Sequence, residues 1–413
     1  MKIWLFAIGE PLPLPENNDR LHRCGLLAKE LSKRGNEVVW WSSTFNHFSK
    51  TNYFEHNKKI IINKNLILEL LYGKKYKKNI SLSRVRNHNQ IAKNFLSRVK
   101  NYENPDIILC AIPSIELSYE VVKFAKRRDI PLITDARDMW PDIFELIFPK
   151  IIRPLLNILL YRLYNKTSYI FKNSSAITGI TPGFVDWGIS YSKRNKTSKD
   201  RFFFLGYPNE NYEHIMLKKA WNKLEKKGLS EKDFILTYVG TLAKNKLRLN
   251  EIFDLAISLR NNKKIKIVLA GDGDQKLEYI KLTKEKNIQN IIFPGWLNKY
   301  EIKALLNYSS LGLVPLKNRV DYIISIPNKP IEYLSSGLPL LSSLSGELEN
   351  LIKIEKIGFT YSNKNELEDY VRLCLKEKVH KDLVSRCQKV FIERFDAKVV
   401  YSNFSDYIEN FKN

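Results

Sequence analysis

Short, nearly unbroken apolar runs separated by helical segments recur along this chain, and they come in two consecutive series. The first is Lys2–Ile8, Val38–Trp41, Asp106–Ile112, Pro131–Thr134, Ala176–Ile180 and Phe202–Gly206; the second is Phe234–Gly240, Ile265–Gly271, Asn290–Gly295, Leu311–Leu316, Leu338–Ser343 and Gly358–Tyr361. Strands apolar on both faces belong to parallel sheets covered by helices. Two such series without a short repeat predict an α/β chain of two doubly wound, Rossmann-like lobes facing a central cleft. The expected domains are 1–208 and 209–394, with 395–413 a terminal helix crossing back to the first. The linker falls near Gly206–Tyr212, where Gly, Pro and Asn interrupt the periodicity.

A length of 413 residues suits two domains, and 44% hydrophobic with 27% charged residues is enough for real cores. The formal charge of +24 predicts an anionic partner: nucleic acid, acidic lipid head groups or a phosphorylated substrate. Cys24, Cys110, Cys374 and Cys387 show no Cys-x-x-Cys spacing and no clustering with histidine, which argues against zinc and against a disulfide framework and predicts reduced, mostly buried thiols. The opening Met1–Ile8 lacks the basic start and cleavage site of a signal peptide, so a cytosolic chain is expected. Apolar stretches fall short of the roughly 20 residues a membrane span needs. The best of them, Ile147–Tyr164, is interrupted by Lys150, Arg153, Asn157 and Arg162. It reads as an amphipathic helix, packed on a core in the first instance and lying on a membrane surface in the second.

Local signals place several groups at strand ends. Asn17, Asn18 and Asp19 can each cap a helix whose apolar face is Leu21, Cys24, Leu27, Ala28 and Leu31, closed by Gly35. That helix starts at the carboxyl end of the first strand, where open parallel sheets bind ligands. Residues Thr44–Asn79 read as a long, basic, aromatic-rich insertion, either functional or a plain surface loop. The Gly-x-Gly in Gly271–Gln275 lacks a third glycine and is weak evidence for a dinucleotide.

Taken in order, "YVGTLAKNK", "AGDGDQ", "FPGW" and "PNKPIEYLSSGLPLLSS" resemble the donor lobe of family-4 glycosyltransferases, which have the GT-B fold. The resemblance spans essentially the whole chain. In the first lobe, "GEPLPLPENNDRLHRCGLLAKELSKRGNEVVWWSSTFNHF", "NISLSRVRNH" and "ITDARDMWPDIF" resemble a bacterial subgroup from O-antigen and capsule gene clusters that includes N-acetylfucosamine transferases. This resemblance makes residues 1–208 the acceptor-side lobe and 209–394 the nucleotide-sugar lobe.

In the donor lobe, Ser325 to Lys329 are expected to form a loop above a helix beginning near Pro330, whose free N–H groups and lysine suit a diphosphate. Ser325, Pro327, Asn328 and Lys329 belong to this seat. Glu332, in the first turn, can accept from the two hydroxyls of a ribose, with helix-dipole complementation as the alternative. The family usually carries another glutamate eight positions earlier; here that position is Ile324. The arginine that commonly follows the glycine of the first motif is replaced by Thr241 after Gly240, leaving Lys244 and Lys246 to neutralise the leaving group, Lys244 by preference. Asp272 and Gly273 are implied beside the nucleotide, and Gly295, Trp296 and Leu297 beside the base; a plain turn is the alternative for Asp272.

In the acceptor lobe, Gly9 lets backbone approach phosphate or sugar closely, and Glu10, Asn18 and Arg20 are implied on the acceptor side. Arg137 and Asp138 fall where many relatives have a histidine–aspartate pair near the sugar, a structural Arg–Asp pair being the alternative. The resemblance implies a configuration-retaining transfer without metal or other cofactor, from a nucleotide-sugar donor to a lipid-diphosphate-linked saccharide. Donor candidates are UDP-linked N-acetylated deoxyhexosamines. The anionic inner face of the cytoplasmic membrane would then account for the charge, and no nucleic acid partner is expected. Other readings are an epimerase or a transferase with a soluble acceptor on the same fold, and a basic nucleic-acid protein.

Overall fold

The computed structural model describes residues 1–15, 19–79, 81–244 and 246–411. The chain divides into two compact units: Met1–Gly206 with Val400–Asn413, and Tyr207–Val399. The breaks fall at Tyr207 and Val400, where the sequence put them at 209 and 395.

The first unit is built on β1 (Lys2–Phe6), β2 (Glu37–Ser43), the small pair β3 (Phe45–Asn46) and β4 (Thr51–Asn52), β5 (Lys58–Asn63), β6 (Leu66–Leu71), β7 (Ile107–Ile112), β8 (Leu132–Ala136), β9 (Ala176–Gly179) and β10 (Arg201–Phe202). Eight of these form one sheet in the order β10-β9-β8-β7-β1-β2-β6-β5, parallel except where β5 runs antiparallel to β6. The pairing Ile3 with Val38 on one side and Ile107 on the other puts β1 in the middle. Trp4, Trp40 and Trp41 are buried there, and Trp41 stacks on Phe6 and meets Phe95 edge-on. Buried aromatic pairs of this kind add about 1 kcal/mol each beyond their area.

Three sequence expectations change here. The insertion Thr44–Asn79 is not one long loop: β5 and β6 extend the sheet, with Val38 paired to Leu66. The first helix runs Arg23–Lys33 with His22 at the cap position and no side-chain cap, so Asp19 does not cap it; Asn17 and Asn18 lie outside the described residues. Of its expected apolar face, Cys24, Leu27, Ala28 and Leu31 are buried, whereas Leu21 precedes the helix and is half-buried; Gly35 takes φ +91°. Finally, Ile151 just before the helix Arg153–Lys172, and Leu155, Ile158, Leu159 and Tyr161 in its first half, are 59–88% exposed, while Thr167, Ile170 and Phe171 in its second half are fully buried. Core packing therefore fails for the stretch in which the sequence preferred it.

The second unit contains β11 (Phe234–Val239), β12 (Ile265–Ala270), β13 (Ile291–Gly295), β14 (Leu311–Val314), β15 (Leu340–Ser342) and β16 (Gly358–Thr360). Their order is β13-β12-β11-β14-β15-β16, all parallel. The order reverses beside β11, which makes the carboxyl ends of β11 and β14 the switch point where such sheets bind ligands. Leu236, Ile267, Leu269, Leu313 and Leu341 form its core. All four cysteines are free and buried. Among the described residues no helix is long and apolar enough to cross a membrane.

Candidate functional site

In the second unit, the loops that follow β11, β12 and β13 are tied by main-chain hydrogen bonds. Gly240 N donates to Ala270 O at 2.9 Å, Leu242 N to Asp272 O at 2.9 Å, and Gly271 N to Gly295 O at 2.9 Å. The approach is so close that a Cβ on Gly271, at φ +138°, would stand 1.9 Å from Gly240 O. Only glycine fits.

Between these loops lies a cavity of about 330 Å³, lined among others by Gly240, Thr241, Asp272, Trp296, Leu297 and Lys329. All six were singled out in the sequence. Trp296 is 75% exposed, so its indole offers an open stacking face at the rim. Gly295, at φ +84°, turns the chain from β13 toward that tryptophan. Gly273 closes the β12 turn, its N–H donating to Asp272 Oδ1 at 2.9 Å.

The short helix beside the cavity runs Asn328–Leu334 with Pro327 at its cap position. It begins two residues earlier than expected, so Pro330 is the third helical residue and Glu332 stands in the second turn. Pro330 still costs no hydrogen bond there, because the first four helical N–H groups have no internal partner. The helix is held by Tyr333, fully buried, whose hydroxyl accepts from Val239 N at 2.9 Å. A Cβ on Gly312 would meet that ring at 2.5 Å, so β14 needs a glycine under it. Glu332 Oε1 accepts from the Tyr207 hydroxyl at 3.0 Å and Oε2 from Lys329 Nζ at 2.6 Å.

The other expected donor-side groups lie apart from this cavity's lining. Lys244 and Lys246 are exposed, and their loop is fastened by Lys317, which donates to Lys246 O through its main chain and to Lys244 O through Nζ. Ser325 is buried and its Oγ donates to Tyr322 O at 3.2 Å, while Asn328 is exposed in the first helical turn. Ile324 caps the short helix Val320–Ile323. Lys303, which the sequence reading did not name, donates to Ser336 Oγ at 2.9 Å, and burial lowers its pKa while Glu332 raises it.

In the first unit the strand ends carry a buried ion-pair chain. Arg23 grips Asp135 through Nε and Nη2, both at 2.9 Å. Arg137 Nε donates to Asp135 Oδ2 at 2.6 Å and its Nη1 to Glu10 Oε1. Glu10 also accepts from Cys24 N at the start of the first helix. Burial opposes the charge on Asp135, but the two guanidinium groups outweigh it and hold the carboxyl well below its usual range. Arg137 is therefore fixed on both sides, with its Nη2 buried and unpartnered among the described residues. Asp138 accepts from Met139 N at 2.9 Å and Trp140 Nε1 at 3.1 Å. Arg20 is exposed, and Asn18 lies outside the described residues.

Gly9, at φ +79°, lines a different cavity of the first unit together with His47, Tyr76, Arg84 and His88. These four were not singled out in the sequence. The available signal was Ser81 followed by Arg84 and His88, one cap and two polar residues spaced four apart on a helix.

Residues 198–390 match a family model described as Glycosyl transferases group 1. No curated protein is recognisably similar in sequence. Among solved structures, the chain is similar to a sucrose-phosphate synthase from Thermosynechococcus elongatus, with a TM-score of 0.71 at 13% identity over 100% of this chain and 99% of that one. It is similar to HepE of Anabaena in complex with UDP, with a TM-score of 0.65 at 12% identity over 99% and 100%. WaaG, a glycosyltransferase involved in lipopolysaccharide biosynthesis, gives 0.61 at 13% identity over 99% and 100%. These likenesses show the two-lobe α/β GT-B fold, and the match over residues 198–390 supports a group 1 glycosyltransferase.

Proposed function

We propose that the chain transfers a sugar from a nucleotide-sugar to a lipid-diphosphate-linked saccharide during assembly of a bacterial surface polysaccharide such as O-antigen or capsule. The observation that carries this reading is the 330 Å³ cavity at the carboxyl ends of β11 and β12, where Gly240, Thr241, Asp272, Trp296, Leu297 and Lys329 converge inside the segment matching the glycosyltransferase family. In this reading the base lies against Trp296 and Leu297, the diphosphate meets Lys329 and the start of the helix Asn328–Leu334, and Glu332 takes the ribose hydroxyls. A UDP-linked N-acetylated deoxyhexosamine, such as UDP-N-acetylfucosamine, is the proposed donor.

The reaction retains configuration. The bond from the anomeric carbon to the diphosphate oxygen breaks, and the bond to the acceptor oxygen forms on the same face. The acceptor's proton passes to the departing phosphate oxygen. Cations and helix N–H groups stabilise the charge that builds on the diphosphate, with no metal or other cofactor needed. Lys329 takes the main part because it lines the cavity, and Lys244 and Lys246 add charge from the neighbouring loop. In the first unit Arg137 and Glu10 set the positions of strand ends, and Asp138 and Arg20 serve the acceptor.

The exposed apolar residues Ile151, Leu155, Ile158 and Leu159, with Arg153 and Arg162 on the same segment, support a peripheral seat on an anionic membrane, at the cytoplasmic face where such acceptors are extended. Purified protein incubated with a panel of UDP-sugars and lipid-linked acceptors, with products read by mass spectrometry, tests the whole reading. Extension of an acceptor by one sugar is expected. Free epimerised nucleotide-sugar, or extension of soluble acceptors alone, would refute it.

A further inference from the structure

We propose that the carboxyl end of the sheet in the first unit carries a phosphoryl-binding subsite headed by Arg84, which takes the phosphate of the acceptor. The inference deepens the transferase reading and rests on it for the source of that phosphate.

Arg84 is the third residue of the helix Leu82–Arg98, whose cap Ser81 accepts from the Arg84 backbone N–H. Its guanidinium lies 4.4 Å from the centre of the Trp140 ring. Nη1 donates to Asn79 O at 2.8 Å, and Nε reaches His88 Nε2 at 3.5 Å. Among the described residues it makes no ion pair. The nearby carboxylates are already engaged: Glu116 stands 3.6 Å from His88 Nδ1, and Asp138 accepts from Met139 and Trp140. Burial lowers the pKa of Arg84, with Tyr76, Asp138 and Glu116 opposing at longer range. A half-buried guanidinium that lies on an indole without a bonded carboxylate is incompletely compensated, and an incoming anion would supply the missing partner.

The surroundings suit the same ligand. Lys50, outside the cavity's lining, brings a second cation to its neighbourhood, its Nζ 5.1 Å from the ring centre of the lining residue Tyr76 and 2.6 Å from Asn79 Oδ1. His47 Nδ1 lies 2.8 Å from the Tyr76 hydroxyl, and burial pushes the imidazole down to about 4, so it stands neutral beside the two cations and can share a hydrogen bond without adding charge. The open volume is about 30 Å³, room for a couple of water molecules. The space opens to solvent, so a terminal anionic group can enter it. Gly9 forms part of the wall, and the positive end of a 17-residue helix adds to the field.

The test uses the full chain with isotope-labelled histidine. Only six histidines are present, and the His47 and His88 signals are assigned with His47→Gln and His88→Gln. Inorganic diphosphate at millimolar concentration should move both signals saturably, Arg84→Gln should need about tenfold more, and Arg84→Lys should fall between. Unmoved signals, or the same titration in Arg84→Gln, would overturn the subsite. In turnover, Arg84→Gln should raise the KM for a lipid-diphosphate acceptor about tenfold while leaving kcat, UDP affinity and the KM for the matching phosphate-free saccharide unchanged. An unchanged acceptor KM, or an equal rise for the phosphate-free saccharide, would refute the acceptor as the source. Should no acceptor be extended at all, the transferase reading fails while the histidine titration still decides whether the anion subsite exists.

Discussion

Lys329 and Glu332 face each other one helical turn apart, Nζ lying 2.6 Å from Oε2, with the second carboxylate oxygen taken by Tyr207. In this arrangement the carboxylate holds the cation at the wall of the donor cavity, so a diphosphate and a ribose arriving together would exchange one partner for another without stranding either charge. Under the proposed function, the cation that matters for the nucleotide is then Lys329. Replacing it with glutamine should weaken UDP binding about tenfold, whereas Lys246→Gln, on an exposed loop position, should change it by less than about twofold. Competition with a fluorescent UDP analogue measures both, and the reverse order would return the role to the loop.

Tyr333 ties the same helix to β11 through the hydrogen bond from Val239 N. Tyr333→Phe leaves that buried N–H without a partner and should cost about 1–3 kcal/mol. Denaturant unfolding followed by circular dichroism reads the loss. A variant as stable as the parent would mean that the ring alone holds the helix.

Acid sensitivity should trace to His47, whose folded-state pKa is down at about 4 against an ordinary 6.5, chiefly because burial penalises the charged ring. Its contribution to stability is whole above pH 6.5 and declines as the pH falls toward 4, since the unfolded chain takes up the proton first. Thermal unfolding across that window should show a slope that His47→Gln flattens. An equal slope in both proteins would assign the acid sensitivity elsewhere.

The exposed face of the helix Arg153–Lys172 offers a test that does not touch the fold. Ile158→Ser with Leu159→Ser removes apolar groups that are 73% and 67% exposed, so unfolding should be unaffected while flotation with anionic vesicles falls several-fold. Undiminished flotation would move the membrane contact to another surface.

Much of this architecture was legible because both sheets are built from strands buried on both faces, which leave continuous apolar runs in the chain. What stayed hidden has identifiable causes. The strand Leu66–Leu71 carries Glu69 in its middle, which reads as an interruption; in the fold that carboxylate is fully buried, with Arg98 Nε at 2.6 Å and the Tyr102 hydroxyl at 2.5 Å, partners about 30 residues away. The first helix starts at Arg23, whose side chain reaches Asp135 in a distant strand, a contact that capping signals at Asn17 to Asp19 cannot convey. In the donor cavity, motif order located Gly240, Asp272 and Trp296, but the sequence could not say which lysine lines it. Lys244 and Lys329 both stand near glycine- or proline-rich turns, and only the path of the loops separates them. The Arg84 cavity went unseen for the same reason: its walls come from five segments between Ile8 and Ser114.

The most direct measurement is calorimetric titration of the full chain with UDP. One binding event, lost or weakened about tenfold in Glu332→Ala with the unfolding temperature unchanged, is the predicted result. No heat of binding at millimolar UDP, or equal affinity in parent and variant, would contradict the nucleotide seat on which the account stands.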